Sequence, residues 1–337
     1  TVEEDMQGSF SGIGVQFNII DDSIVVVSAI SAGPSDKLGI QSGDRIISVE
    51  KEDVASKGIK NEGVIKLLRG EKGSIVNINI KRRGQLEIIP FAIKRDDIPL
   101  YSVDVGIILE NDIGYIKINR FAATTYDEMM DKVNSLQQSG MQRLILDLRG
   151  NPGGYLHIAN QMCDEFLKEG ELIVFTKGRN RSKEETFATR NGQLENIEVI
   201  VLIDEGSASA SEIVSGALQD NDRGKIIGRR SFGKGLVQEQ IPLQDGSVIR
   251  LTTQRYYTPS GRCIQKDYEK NEKDYYLEQY TRNDTLTSYP DSLTYTTKKG
   301  RTVYGGGGIT PDIIINRDST ANYLQINRMI SKGWLNE

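Results

Sequence analysis

The sequence predicts an α/β protein preceded by a smaller, mainly-β module. Three observations carry that expectation. After residue 105, short apolar runs alternate with amphipathic helical stretches, the pattern of strands and helices packed in layers. Before residue 96, brief strand-like runs are separated by glycine and aspartate turns. Hydrophobic residues make up 37% of the 337 residues and charged residues 26%, enough apolar surface for a core.

Residues 1–7 read as an N-terminal remnant. The chain opens Thr1-Val2-Glu3-Glu4 without an initiator methionine, as a processed or truncated product would. Residues 8–95 form the β-rich module. Ile13–Ile19 and Ile24–Ile30 are expected as strands around Asp21-Asp22, followed by a turn at Gly33-Pro34 and a short helix to Leu38. Arg45–Glu50 is a further strand and Asn61–Arg69 an amphipathic helix ended by Gly70. Ile75–Lys81 alternates apolar and polar residues and is expected to pair with Gln85–Ile93.

Residues 96–105 read as a linker. The α/β part then spans 96–265, with a polar, tyrosine-rich insertion or flap at 266–304 and a return to the core at 305–337. Strands are expected at Gly114–Ile118, Arg143–Leu148, Leu172–Thr176, Val199–Ile203 and Lys225–Ile227. Helices are expected at Tyr126–Leu136, with a capping box from Thr125 to Glu128, at Leu156–Leu167 and at Glu212–Leu218. Leu236–Leu243 and Ser247–Tyr257 form a hairpin around Asp245-Gly246. A last strand at Ile309–Ile315 and a helix at Tyr323–Met329 close the chain.

Bulk properties exclude some classes. A net charge of −5, with both signs interspersed, lacks the basic stripe of a nucleic-acid binder, so no nucleic-acid partner is expected. No apolar run approaches the ~18 residues of a membrane span, and no signal peptide is evident. The two cysteines, Cys163 and Cys263, imply no disulfide framework, and Cys163 falls on the apolar side of a helix.

The most informative segment is 199–220. An apolar run leads into Ser207-Ala208-Ser209-Ala210-Ser211-Glu212 and an apolar-faced helix. A strand, a turn of small residues and a helix start is how an activated serine is presented, with the next backbone N–H and the helix N-terminus facing a developing oxyanion. The same residues fit S-x-x-E, a plain capping box, and caps are far commoner than nucleophiles. A nucleophilic serine needs a base. The one histidine, His157, lies in a predicted helix after Gly153-Gly154. Lys234 is the alternative, bracketed by glycines in Ser231-Phe232-Gly233-Lys234-Gly235 and followed by a strand on which Gln238 shares its face. Burial would depress its pKa and make it a proton acceptor; a solvated lysine in a glycine turn is the ordinary alternative. Gly228 to Lys234 also reads G-x-x-x-x-G-K, but Gly235 stands where a P-loop needs Ser or Thr and a strand follows where a helix should.

Together these residues resemble the carboxyl-terminal processing peptidases, or tail-specific proteases. Ser207–Glu212 is similar to that family's SASASE segment, and Phe232-Gly233-Lys234-Gly235 with Val237-Gln238 to its FGKG-x-VQ segment. Asp147–Gly154, Tyr257–Arg262 and Gly307–Asp312 are similar to further family segments. The resemblance covers nearly the whole chain. It implies a crotonase-related α/β protease core behind a PDZ domain. Ser209 would be the nucleophile, Lys234 the base and Gln238 its orienting partner. The oxyanion hole would be made by backbone N–H groups of Ala210 and of Gly153 or Gly154. Ser11-Gly12-Ile13-Gly14-Val15 would be the carboxylate-binding loop, with the peptide added as a strand beside it; a glycine turn before a strand is the simpler alternative. Arg69 is a candidate relay to the core, though a solvated last-turn arginine is the commoner case.

The resemblance further implies polypeptide substrates with free C-termini, adaptor or regulator proteins as partners, a homo-oligomer, and a periplasmic or cell-envelope location. No cofactor and no metal are expected. The rival is a catalytically silent PDZ-containing protein that binds C-terminal peptides.

Overall fold

The structure, a computed structural model, describes residues 6, 8–110, 112–245, 247–267, 275, 278, 290–316 and 329. The expected remnant at 1–7, most of the 266–304 insertion and the expected helix Tyr323–Met329 fall largely outside those residues. The chain forms two compact units. Unit 1 comprises residues 1–102 with 122–124, and unit 2 the remainder.

Unit 1 opens with β1 (Ser9–Gly12), β2 (Val15–Ile20) and β3 (Ser23–Ala29). The short helix α1 (Pro34–Lys37) starts on Pro34, whose fixed φ suits a first helical position. Then come β4 (Arg45–Val49), β5 (Glu52–Asp53), α2 (Asn61–Leu68), β6 (Ile75–Lys81), β7 (Ile88–Lys94) and β8 (Asp96–Pro99). The main sheet is antiparallel in the order β2-β3-β4-β6-β7, with β5 on β4. Alternation explains its core: Val76, Ile78 and Ile80 of β6 are buried while Ile75 is exposed. Ile24, Ile46, Ile93, and Val64 and Leu68 of α2 complete it. The expected 96–105 linker instead carries β8, which pairs antiparallel with β1 across more than 80 residues of chain. The hairpin turn between β6 and β7 is wider than Arg83-Gly84, since Lys81 pairs with Ile88.

Unit 2 contains β9 (Val105–Ile108), β10 (Ile113–Lys117), α3 (Thr125–Gln138), β11 (Arg143–Asp147), α4 (Leu156–Phe166), β12 (Leu172–Lys177), β13 (Glu184–Phe187), β14 (Glu198–Ile203), α5 (Ala210–Asp220), β15 (Gly224–Gly228), β16 (Leu236–Pro242), β17 (Val248–Tyr257), β18 (Thr294–Thr296), β19 (Thr302–Tyr304) and β20 (Ile313–Ile314). A six-stranded sheet runs β20-β15-β14-β11-β10-β9, parallel except for the β9–β10 pair. A four-stranded antiparallel sheet runs β13-β12-β17-β16. The central parallel strands read as apolar runs because both faces are covered: Leu144, Leu146, Val199, Val201 and Ile203 are buried with Met162, Phe166, Val214 and Leu218 of the helices. The Thr125 capping box does not form as expected. Thr125 is itself helical, its hydroxyl donates to Arg120 C=O, and Glu128 accepts from Val103 N–H.

Cys163, buried in α4, and Cys263 are free thiols. Among the described residues no helix is long and apolar enough to cross a membrane, and no group of three or more His, Cys, Asp or Glu side chains is placed to hold a metal ion.

Candidate active site

Because β11 and β14 are parallel neighbours, in register from Arg143–Glu198 to Asp147–Leu202, the loops leaving their C-terminal ends lie side by side. In open α/β sheets these ends are where sites form. The first loop is residues 148–155 and the second 204–209. Side-chain and backbone bonds sew them together. Ser207 Oγ donates to Leu148 C=O (2.8 Å) and Ser211 Oγ to Asn151 C=O (2.9 Å). Ala208 N–H donates to Asn151 C=O and Gly150 N–H to Asp204 Oδ1. The serines flanking Ser209 are therefore more than small: their buried hydroxyls are the fasteners.

Ser209 is the N-cap of α5, with φ 56° and ψ −114°. A non-glycine residue held there carries roughly 1–3 kcal/mol of backbone strain, of the kind that collects at functional turns. A Cβ at Gly153 (φ +98°) would lie 2.7 Å from Ser209 Cβ and 2.9 Å from Ala210 N, so only glycine lets the first loop approach this closely. Gly153 N–H is already committed to Asn151 Oδ1 at 2.9 Å. Gly154 N–H is not used in its bridge to Phe121, which runs through Gly153 C=O and Tyr155 N–H. Ala210 N–H belongs to the first turn of a helix, which has no intrahelical acceptor. Among the described residues, neither Ala210 N–H nor Gly154 N–H has a hydrogen-bond acceptor.

Lys234 lies on the loop before β16. That loop is fixed by Phe232 N–H to Ser207 C=O (2.9 Å), by Lys266 N–H to Gly233 C=O (3.0 Å) and by Gly235 N–H to Gln265 Oε1 (2.9 Å). Burial pushes the Lys234 amine below the usual lysine range, helped by Arg250 and opposed by Glu212. Gln238 is exposed, and the register shift between Val237 and Gln238 places an extra residue, Thr253, in the partner strand β17. Among the described residues the Gln238 amide has no hydrogen-bond partner. His157 is exposed on α4, its ring 5.1 Å from that of Tyr155.

Three residues of this region were not singled out from the sequence. Glu212, fully buried, accepts from Ser209 N–H (2.8 Å), Gly233 N–H (2.7 Å), Lys234 N–H (2.8 Å) and the Ser231 hydroxyl. Burial pushes its carboxyl up and these four donors work against the rise. Tyr256, 2% exposed, has its hydroxyl within reach of both Ser209 C=O (3.0 Å) and Lys234 C=O, which share its one proton. Lys266, 5% exposed, sits 4.0 Å over the Phe232 ring and 4.1 Å over that of Tyr275, and donates to Tyr275 C=O. Glu212 was visible only as a helix cap, Tyr256 only as an apolar position of a strand, and Lys266 gave no signal.

The remaining motif segments anchor α5 and the base loop. Arg262 and Asp220 form an ion pair at 2.7 Å, both side chains wholly buried, with Ser260 donating to Asp220 and Arg262 donating to Gln219 and Tyr304 C=O. Ile309 N–H donates to Ser231 Oγ, and Asp312 accepts from Ile226 N–H and Gln219.

In unit 1, Ile13 C=O accepts both the N–H and the hydroxyl of Ser35 (3.1 and 2.6 Å), and Gly14 C=O accepts from Ile30 N–H. Gly14 has φ +74°. β2 is an edge strand. Its Val15–Ala29 pair is flanked by the Ile30-to-Gly14 bond, so the N–H and C=O of Val15 face the open side. The Arg69 guanidinium lies 4.2 Å from the centre of the Phe10 ring, with its Cγ beside Gly12.

Comparison with known proteins agrees with these two regions. The model of peptidase family S41 matches residues 112–277, and that of the PDZ domain residues 11–90. The carboxy-terminal processing protease CtpB of Bacillus subtilis is 36% identical over 265 residues, 78% of this chain and 55% of that protein. CtpA of the same organism is 38% identical over 264 residues, 78% of this chain and 56% of that protein. The carboxy-terminal-processing protease of Bartonella bacilliformis is 39% identical over 269 residues, 78% of this chain and 61% of that protein. The chain thus spans little more than half the length of the relatives it matches. On these matches and on the motif segments just placed, the chain belongs to the carboxyl-terminal processing peptidases of family S41, with a PDZ domain ahead of its peptidase region.

Proposed function

We propose that this chain is a serine endopeptidase that cleaves polypeptides near or from their C-termini with a Ser209–Lys234 dyad. One observation carries the reading: Ser209 and Lys234, from separate loops, share two buried partners, and burial lowers the pKa of the lysine from its usual range. Ser209 Oγ attacks the scissile carbonyl carbon while neutral Lys234 Nζ takes its proton. The oxyanion is received by the N–H groups of Ala210 and Gly154, and Gly153, committed to Asn151, shapes the hole. Lys234 returns the proton to the leaving amine, then serves as base for the water that hydrolyses the acyl-enzyme. Gln238 would be the partner that orients the amine.

The Gly12-Ile13-Gly14-Val15 loop would bind the substrate's terminal carboxylate, with the peptide added along β2. Arg69, against that loop, would sense the bound terminus. Adaptor or regulator proteins, a homo-oligomer and a periplasmic or envelope location are carried over from the family.

A serine-reactive fluorophosphonate probe tests the reading. Wild type is expected to label and to cleave an unstructured polypeptide with a free C-terminus, and Ser209→Ala to do neither while remaining folded. Losing the N-cap alone costs roughly 0.5–2 kcal/mol, so a lowered melting temperature is expected too. A folded wild type that binds C-terminal peptides without labelling would establish the silent PDZ-containing binding protein instead.

A further inference from the structure

Nucleophile and base stand on different loops, Ser209 after β14 and Lys234 before β16, 25 residues apart in the chain. Proton transfer needs their side-chain atoms within about 3 Å, so something must hold two independent backbones in register. Two buried side chains touch both. The Glu212 carboxylate takes the backbone N–H of each, and the Tyr256 hydroxyl meets the backbone C=O of each. We infer that Glu212 and Tyr256 act as a two-sided clamp that sets the separation of Ser209 and Lys234, and that they are positioning residues of the Ser–Lys reaction. The inference rests on the dyad reading above.

Simpler roles do not account for these contacts. A helix cap needs only the bond between Glu212 and Ser209 N–H. The other three donors, Ser231 Oγ, Gly233 N–H and Lys234 N–H, belong to the base loop. Core filling at 256 needs only a ring, and phenylalanine supplies the same one. The one proton of the Tyr256 hydroxyl is shared between the carbonyls of the two catalytic candidates. A carboxylate offers about four acceptor positions, and all are used. Glutamine offers one oxygen and sets an NH2 against the remaining donors, so Glu212→Gln breaks one jaw of the clamp despite matching the side chain in size. Tyr256→Phe removes a single oxygen from the other jaw.

The charged groups facing Lys234 are Glu212 from α5 and Arg250 from β17. Without the Glu212 charge, Arg250 is left unopposed and the lysine loses its proton more readily. The test measures kcat, KM and the pH profile on an unstructured free-acid polypeptide, with kcat normalised to fluorophosphonate-labelled serine and melting followed in parallel. Tyr256→Phe is expected to lower kcat about tenfold and Glu212→Gln about 100-fold, the scale of a 1 Å misplacement, with KM within about twofold. The acid limb of the Glu212→Gln profile should move to lower pH. A purely structural role would lower melting and the labelled fraction but leave kcat per labelled site and the acid limb in place. Tyr256→Phe with wild-type kcat per labelled site, or Glu212→Gln with an unmoved acid limb, overturns the clamp. If Glu212→Gln does not fold, the tyrosine variant alone decides. Lys234→Ala, which leaves both jaws intact, is the separate control: wild-type cleavage by that variant defeats the dyad reading itself.

Discussion

The two units each carry a glycine loop beside a strand, and the loops are held in opposite ways. In unit 1 the Gly12–Gly14 loop is fixed through its carbonyls: Ser35 holds Ile13 C=O and Ile30 N–H holds Gly14 C=O. Gly12 itself pairs with Asp96 of β8, so an anion nest here would draw on the N–H groups that follow it. In unit 2 the Gly150–Gly154 loop is fixed through side chains, by Asn151, Asp204, Ser207 and Ser211. On the proposed mechanism that loop places one amide beside the strained Ser209 rather than offering a row of them. Besides backbone bonds, the unit 1 loop is held by one buried side chain, that of Ser35. A catalytic loop needs buried polar groups from distant parts of the chain to hold a single geometry.

The largest effect should come from the base. Lys234→Arg is expected to lower turnover by about 10³-fold or more, to the level of Ser209→Ala, because a guanidinium keeps its proton. In wild type, activity should rise with pH through a Lys234 pKa that lies below the usual lysine range. The sign on stability follows: a lowered folded pKa makes this group's contribution fall progressively as pH drops from the unfolded lysine range through the folded value. A kcat/KM profile on wild type and the arginine variant checks both statements. Substantial activity in Lys234→Arg would mean that position 234 supplies only charge.

Matched lesions in the two glycine loops come next. Gly154→Ala sets a Cβ about 2.1 Å from Phe121 C=O at φ +152°, so the loop must move. Its kcat should fall about 10²–10³-fold, the usual loss for one oxyanion donor. Gly14→Ala meets Ile98 at 2.9 Å at φ +74° and should act on KM rather than kcat, since no chemistry is assigned to unit 1. Steady-state kinetics on the two variants separates them, and a kcat defect confined to Gly14→Ala would invert the assignment.

The contrast between the loops also explains what the sequence made legible. The strands Arg143–Asp147 and Glu198–Ile203 announce themselves because both faces are buried and the apolar run is continuous. The glycine-rich loops are visible because backbone conformation restricts residue type. Strands β1 and β8 were not expected: their pairing partners lie far apart in the chain and neither alternates in hydrophobicity. Glu212 read as a cap, which is one of its four bonds. The exposure of Gln238 and the extra residue Thr253 opposite it in β17 leave no mark in an alternating strand sequence. Buried polar side chains carry the site, and their partners are set by tertiary structure.

A comparison of arginine–aspartate pairs extends the contrast to stability. Arg262–Asp220 in unit 2 is wholly buried, whereas Arg82–Asp44 in unit 1 leaves the arginine 19% exposed. Removing one partner of a buried pair leaves an uncompensated charge, so Arg262→Met should destabilise by about 3–5 kcal/mol. Arg82→Met gives up bonds to a charged group that water can partly replace, and should cost about 1.5–3 kcal/mol at most. Denaturant melts of the two variants, followed by a probe in each unit, measure the difference. Equal losses would mean that residual exposure of Arg82 does not moderate its pair.

The smallest expected effect belongs to the binding loop itself. A terminal carboxylate carries a full charge, and hydrogen bonds to a charged group contribute about 1.5–3 kcal/mol. An amidated terminus keeps the strand bonds along β2 and the side-chain contacts but loses that charge. Paired peptides, identical except for a free acid or an amide at the C-terminus and long enough to bind unit 1 and reach Ser209, isolate the contribution. The free acid should be cut about tenfold faster at low substrate, with kcat at saturation nearly the same for the two, because the loop acts on capture and not on bond cleavage. Gly14→Ala should erase most of that preference while Gly154→Ala keeps it, since the first distorts the nest and the second only the oxyanion hole. Equal rates for the acid and the amide in active wild type would show that the carboxylate is not read. The Gly12–Gly14 loop would then be a turn shaped by Ser35 and Ile30, and substrate choice would rest with unit 2.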